Sequence, residues 1–218
     1  MKAGDLLYPR KCPFCTRLLP EETQEDICPE CRAALPWTRG GGKTKGDFFS
    51  LCLSPLEYSG KAREALLRFK FQGRKAYGGC FGRLMAACVR EHLPWEPDVV
   101  TYVPLHYFRF RSRGYSQSRL LAEAVAEALG KPCQALLRKA RFTRPLNPLR
   151  GADKRRAVVS GSYALSRAGT AGTAGRRILL VDDVVTTGAT LSECSRVLLT
   201  AGAERVACVT LCRAAHKR

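Results

Sequence analysis

Residues 178–190 read ILLVDDVVTTGAT, an apolar run that meets an acidic pair and then a loop of small and hydroxylated residues. Ile178, Leu179, Leu180 and Val181 are aliphatic on both faces, the pattern of a central strand in a parallel sheet covered by helices. Asp182 and Asp183 then fall at the carboxyl end of that strand, where open α/β sheets bind their ligands. The loop Val185, Thr186, Thr187, Gly188, Ala189 and Thr190 supplies one glycine, three hydroxyls and a row of backbone N–H groups. It leads into a helical pattern over about 191–199.

These donors suit a phosphate. A glycine lets the backbone approach an anion, hydroxyls donate to its oxygens, and a helix N-terminus adds partial positive charge. The carboxylates have the opposite use: they accept hydrogen bonds from vicinal hydroxyls or help hold a hydrated Mg²⁺ nearby. A ribose 5-phosphate satisfies both halves. The plainer reading is a strand end whose carboxylates cap a turn, and it leaves Thr-Thr-Gly-Ala-Thr unexplained. In order and spacing the segment resembles the ribose-phosphate loop of type I phosphoribosyltransferases, which implies phosphoribosyl pyrophosphate as ligand.

Twenty residues upstream and beyond, charge dominates. The 218-residue chain has a net charge of +18. Residues 1–46 hold eight basic and six acidic residues, a balance of +2, so +16 belongs to the remainder. The excess gathers in Arg109, Arg111, Arg113 and Arg119, and in Arg138, Lys139, Arg141, Arg144, Arg150, Lys154 and Arg155. Such a field attracts nucleic acid, pyrophosphate and anionic surfaces alike, and is also compatible with a merely solvated face. No run reaches the roughly 18 to 20 apolar residues of a membrane span. MKAGDLLYPRKCPFC lacks the apolar core of a signal peptide, and seven of the eleven cysteines are scattered as small hydrophobes would be. Together these features predict a soluble cytoplasmic protein.

The other four cysteines are ordered. Cys12-Pro-Phe-Cys15 and Cys28-Pro-Glu-Cys31 are two C-x-x-C knuckles separated by twelve residues. Each turn lets two thiolates converge, and two knuckles complete the tetrahedral shell of structural Zn²⁺. A redox dithiol or a pair of disulfides is the competing use. With four sulfur ligands no position is open to substrate, and metal binding supplies folding free energy that so small a segment lacks. The ribbon suits a protein-facing or intramolecular role, with nucleic acid as the alternative. Gly40-Gly41-Gly42 and residues 43–46 then read as a flexible joint, dividing a zinc module at 1–46 from a larger domain at 47–218.

Within that domain the pattern predicts a strand at 51–58, helices from Gly60 to Phe71 and from Tyr77 to His92, and a strand at 98–103. A helix follows at 116–129, and strands return at 161–165, 177–181 and 205–211. The two knuckles, EALLRFKFQG, VPLHYFRFRSRGYSQ and VDDVVTTGAT together resemble the ComF family. The resemblance covers nearly the whole chain and implies an α/β fold: a type I phosphoribosyltransferase-like parallel sheet flanked by helices, preceded by a small zinc ribbon. It further implies that Lys70, Arg113, Gly114, Gln117 and residues 182–190 line a phosphoribosyl pyrophosphate site, and it links the protein to DNA uptake in natural transformation. The chain departs from the family pattern at Ser116, Asn147 and Val158, where other side chains are usual. A lost amide removes hydrogen bonds that would order a loop or touch a second substrate.

As an enzyme, such a protein would displace pyrophosphate from C1 of the ribose, with Asp182 and Asp183 on the ribose hydroxyls and Lys70, Arg111 and Arg113 facing the Mg²⁺-bound leaving group. As a binding protein it would use the same pocket as a sensor, while its basic face and ribbon engage single-stranded DNA or a DNA-uptake ATPase. His92, His106 and His216 show no partner pattern.

Overall fold

The computed structural model describes residues 10–20, 26–105, 114–140 and 161–214. In chain order these form α1 (Pro29–Ala34), β1 (Cys52–Leu53), β2 (Leu56–Glu57), α2 (Gly60–Phe71), α3 (Tyr77–His92) and β3 (Val99–Tyr102). There follow α4 (Gln117–Leu129), β4 (Leu137–Lys139), β5 (Tyr163–Leu165), α5 (Arg167–Gly172), β6 (Arg177–Val185), α6 (Ala189–Thr200) and β7 (Arg205–Arg213).

The strand anticipated at 178–181 is the centre of the molecule. β6 lies between β3 and β7, parallel to both, and β1 and β2 both pair with the far side of β7. Ile178, Leu179, Leu180 and Val181 are fully buried. Successive strand side chains alternate between faces. Leu179 and Val181 accordingly join the core under α2, α3 and α4, whereas Ile178 and Leu180 join the core under α6. Truncating Leu179 or Leu180 to alanine would cost about 2–5 kcal/mol.

Three departures from the sequence pattern have physical causes. The strand anticipated at 51–58 is two short strands in one register, with Leu53 opposite Val209 and Leu56 opposite Cys212. Pro55 has no N–H to give the ladder, and the Ser54 N–H turns away to the Gly41 carbonyl at 2.8 Å. The glycine triplet is a packed left-handed turn rather than a free joint, with Gly41 and Gly42 buried at φ 72° and 59°. A side chain on Gly41 would strike the His92 ring at 2.2 Å, and one on Gly42 the Ser54 carbonyl at 2.4 Å. Finally β6 runs on to Val185, because β7 continues to pair with it as far as Arg213.

Ribbon and sheet share one core. Cys12, Phe14, Leu19, Ile27, Cys31 and Leu35 lie in the same buried cluster as Leu66, Phe69, Phe81 and Leu179. Phe14 meets Phe81 of α3 at 5.7 Å between ring centroids, and Asp26 pairs with Arg83 at 2.6 Å. No helix among the described residues is long and apolar enough to cross a membrane.

Candidate functional site

Cys12, Cys15, Cys28 and Cys31 come together with all four sulfurs within 4.8 Å of one another. Tetrahedral Zn–S bonds of about 2.3 Å would hold the sulfurs about 3.8 Å apart, inside that limit and close to the 3.6 Å between Cys15 and Cys28, so the donor set fits structural zinc. The local electrostatics call for a cation as well. Burial opposes the Cys12 thiolate, yet the N–H groups of Cys28, Cys15 and Phe14 bring its pKa down to about 7. Burial and the neighbouring thiols push Cys31 up instead. A cluster in which one thiol ionises at the expense of the others is relieved by a divalent ion at its centre. Among the described residues this is the one such cluster.

The second constellation lies at the carboxyl end of β6. β3 last pairs with β6 at Tyr102 opposite Val181, so Asp182 and Asp183 project just past a neighbouring strand end. Alternation sends them to opposite faces. Asp183 turns to α2, where the Lys70 ammonium donates to its Oδ1 at 2.8 Å, both side chains about 15% exposed. Asp182 accepts the N–H of Asp183 at 2.9 Å. Burial pushes its pKa up to about 7, helped by the charge of Asp183 and opposed by that N–H, Lys70 and Lys139.

Beyond the carboxylates, Val185 is buried and Thr186 exposed, and Thr187, Gly188 and Thr190 are partly exposed around the turn into α6. Gly188 sits at φ 73° as the N-cap of α6, with no side-chain cap on the first N–H groups. A helix start left open in this way favours an anion. Ala189 is buried beneath the turn. Gly114, at φ 72°, begins the segment that enters α4. Gln117 in the first turn of α4 donates to the Lys70 carbonyl at 3.4 Å, so three of the anticipated positions, Lys70, Gln117 and Asp183, form one connected group. Arg111 and Arg113 lie outside the described residues, as do Arg109, His106, Arg141, Arg144, Asn147, Arg150, Lys154, Arg155, Val158 and His216.

Several neighbours carried no sequence signal. Phe49 is buried against the loop, 3.6 Å from where a side chain on Gly188 would begin. By sequence Lys139 belongs to the basic stretch, but the short β4–β5 ladder separates it from Arg138. Arg138 faces outward, while Lys139 sits 4.5 Å over the Tyr163 ring and donates to its hydroxyl at 3.1 Å. Its charge reaches Asp182. Glu193 of α6 accepts the Gly161 N–H at 2.7 Å and pairs with Arg196. A recess of about 450 Å³ adjoins the loop, lined by Thr44, Glu57, Tyr58, Ser59, Val185, Thr186, Arg213 and Ala214. Glu57 and Arg213 pair across it at 2.7 Å.

A parallel sheet whose central strand ends in paired acids and a glycine-turned helix start, with a Cys₄ ribbon packed on its helices, defines a ribbon-bearing phosphoribosyltransferase-type protein. Residues 116–218 match the phosphoribosyl transferase domain family and residues 3–42 the double zinc ribbon domain family. The chain is 33% identical over 153 residues to Competence protein F of Haemophilus influenzae, covering 67% of this chain and 66% of that one. It is 28% identical to DNA utilization protein YhgH of Escherichia coli K12, over 93% of this chain and 89% of that one. Competence protein ComFC of Bacillus subtilis is also 28% identical, over 93% and 77%. The chain belongs to the ComF family.

Proposed function

We propose that the protein binds phosphoribosyl pyrophosphate with Mg²⁺ at the carboxyl end of β6 and acts as a ComF-type phosphoribosyltransferase-like component of DNA uptake. The observation that carries this reading is the Lys70–Asp183 pair at 2.8 Å, set beside a helix start that Gly188 leaves open. Positive charge for each anionic end of the ligand thus accompanies carboxylates for the ribose between them. Thr186, Thr187, Thr190 and the loop N–H groups hold the 5-phosphate. Asp182 and Asp183 accept from the ribose hydroxyls, and Lys70, joined by Arg111 and Arg113, meets the pyrophosphate. Mg²⁺, when bound with the ligand, would supply charge neutralisation to the pyrophosphate that Lys70 meets.

An acceptor attacking C1 would stand in the recess between Thr186 and the Glu57–Arg213 pair. No nucleophile from the chain is required, and holding both reactants in line is the main contribution of its residues. In the non-catalytic alternative the same pocket reports ligand while the basic surface engages single-stranded DNA or a partner protein. The names of the relatives, Competence protein F, ComFC and DNA utilization protein YhgH, and the +18 charge support the link to DNA.

Calorimetric titration of the zinc-loaded chain with phosphoribosyl pyrophosphate and Mg²⁺ tests the pocket. Saturable binding is expected, weakened at least about a hundredfold in Asp182→Asn/Asp183→Asn, since charge-assisted hydrogen bonds are worth about 1.5–3 kcal/mol each. No heat from the native chain would refute the reading and transfer the weight to the basic surface.

A further inference from the structure

Helix α2 touches both constellations. On one side the Arg68 guanidinium donates from Nη2 to the carbonyl of Pro13 at 3.1 Å and to that of Phe14 at 2.9 Å. Both carbonyls lie inside the first knuckle, between Cys12 and Cys15. Lys61, at the other end of the helix, lies with its Nζ 3.7 Å from the Cys31 sulfur. Arg68 is only 19% exposed, with Glu64 at 3.8 Å its acidic neighbour. Its Nε is buried without a hydrogen-bond partner among the described residues. Burying a guanidinium in this way is costly unless its remaining donors are held, so the two knuckle carbonyls fix where Arg68 stays.

Lys70 is two residues further on. Two helical steps rotate by about 200°, so Arg68 faces the ribbon while Lys70 faces the strand end. The intervening Phe69 is wholly buried against Phe81 at 5.5 Å, edge to face. Phe81 in turn meets Phe14 of the knuckle. The last turn of α2 is also gripped from the α4 side: the Tyr115 hydroxyl donates to the Phe69 carbonyl and Gln117 to that of Lys70. The turn that carries Lys70 is therefore held between the knuckle and the start of α4.

We propose that the zinc-held first knuckle sets the position of Lys70 through Arg68, which makes Arg68 a positioning residue for the phosphoribosyl pyrophosphate site. The inference rests on the ligand reading given above and adds a function to the ribbon beyond its own stability. Zinc fixes the Cys12–Cys15 turn, the turn presents two carbonyls, and Arg68 converts them into the register of the final turn of α2. A ribbon without metal would free those carbonyls and release the guanidinium towards solvent. The ammonium would then lose its fixed approach to Asp183 and to the leaving group.

A double-mutant cycle tests this on the full zinc-loaded chain, with phosphoribosyl pyrophosphate and Mg²⁺ as the calorimetric probe and zinc content measured for every variant. Lys70→Met should weaken binding about ten- to hundredfold through the lost charged contact. Arg68→Met, retaining one zinc per chain, should weaken it about three- to tenfold through misplacement. Because Arg68 acts through Lys70, the double variant should be no weaker than Lys70→Met alone, whereas a general structural loss would add. Arg68→Lys, which keeps one donor for a knuckle carbonyl, should recover part of the affinity and serves if Arg68→Met does not fold. Native-like affinity in Arg68→Met, or additive losses in the double variant, overturns the proposal alone. No binding by the native chain overturns the ligand reading and this inference with it.

Discussion

The ribbon and the end of β6 each crowd acidic groups, and they balance them differently. In the ribbon four thiols lie within 4.8 Å, and the geometry closes around a cation that has no open coordination position. At the strand end the Lys70 ammonium is held by Asp183 at 2.8 Å, and Asp182, on the other face and reached by Lys70 and Lys139 only through their field, holds its proton up to about pH 7. A permanent counter-ion makes a structural site. A counter-charge that is partial and displaceable leaves something for a ligand to complete, which is how strained or unfavourable electrostatics mark functional positions.

The largest expected effect tests the permanent side of this contrast. Removing metal with a strong chelator, or substituting Cys31→Ser, should abolish zinc binding and lower Tm by about 10 °C or more, because metal free energy is folding free energy for such modules. The loss should spread beyond the ribbon, since Phe14 and Ile27 belong to the core that contains Phe69 and Phe81. Calorimetric melts with parallel zinc determination check it. An unchanged Tm after complete metal loss would mean that the apolar core alone holds the ribbon in place.

What the sequence disclosed follows the same division. Where chemistry is spaced along the chain it was legible: two C-x-x-C pairs, an aliphatic run ending in Asp182-Asp183, and Thr186 to Thr190 opening a helix. The helices at Gly60–Phe71 and Tyr77–His92 were likewise readable from periodicity, with the bounds that the structure shows. What tertiary contact assembles was not. Phe49 lies more than a hundred residues from Gly188, and nothing in its neighbourhood announces a loop support. Lys139 looked like one of many basic residues until a three-residue strand turned it inward and left Arg138 outside. Arg68 carries no signal of its own in the sequence, and only the packed ribbon gives it carbonyls to hold. The glycine triplet misled for a related reason: composition cannot separate a glycine that frees the chain from one that lets two backbones meet.

A smaller effect probes the displaceable side. The folded pKa of Asp182, about 7, lies above its ordinary value of 3.8. Protonation therefore favours the native state, a contribution fully present below about pH 4 and lost as pH rises through about 7. Asp182→Asn removes the half-buried charge and should stabilise the chain at pH 8 by about 1 to 2 kcal/mol, a Tm gain of about 2–6 °C. The gain should narrow as pH falls from 7 and vanish below about 4. Melts of both proteins across that range check the sign. A variant less stable than the native chain at pH 8 would show that Asp182 is satisfied as an anion, and the contrast with the ribbon would fail.

The smallest effect supplies a control from the other end of the same sheet. Asp98 precedes β3 and takes two bonds from the Arg177 side chain, at 2.7 and 3.2 Å, and one from its N–H at 2.9 Å. Those bonds hold its pKa down to about 2, opposite in sign to Asp182. Here the folded value is depressed, so the stabilisation is present above about pH 4 and is lost as pH falls towards 2. The side chains are 38% and 35% exposed, so water screens the pair and Asp98→Asn should lower Tm at pH 7 by no more than about 1–2 °C. The two substitutions should thus move stability in opposite directions at neutral pH, although both replace an acid at a strand end by its amide. If Asp98→Asn proved stabilising as well, a gain at Asp182 would reflect a general effect of the acid-to-amide change and not relief of a carboxylate held without its own hydrogen-bonded cation. Opposite signs, by contrast, locate the unmet charge at the end of β6 where Lys70 is already committed to Asp183.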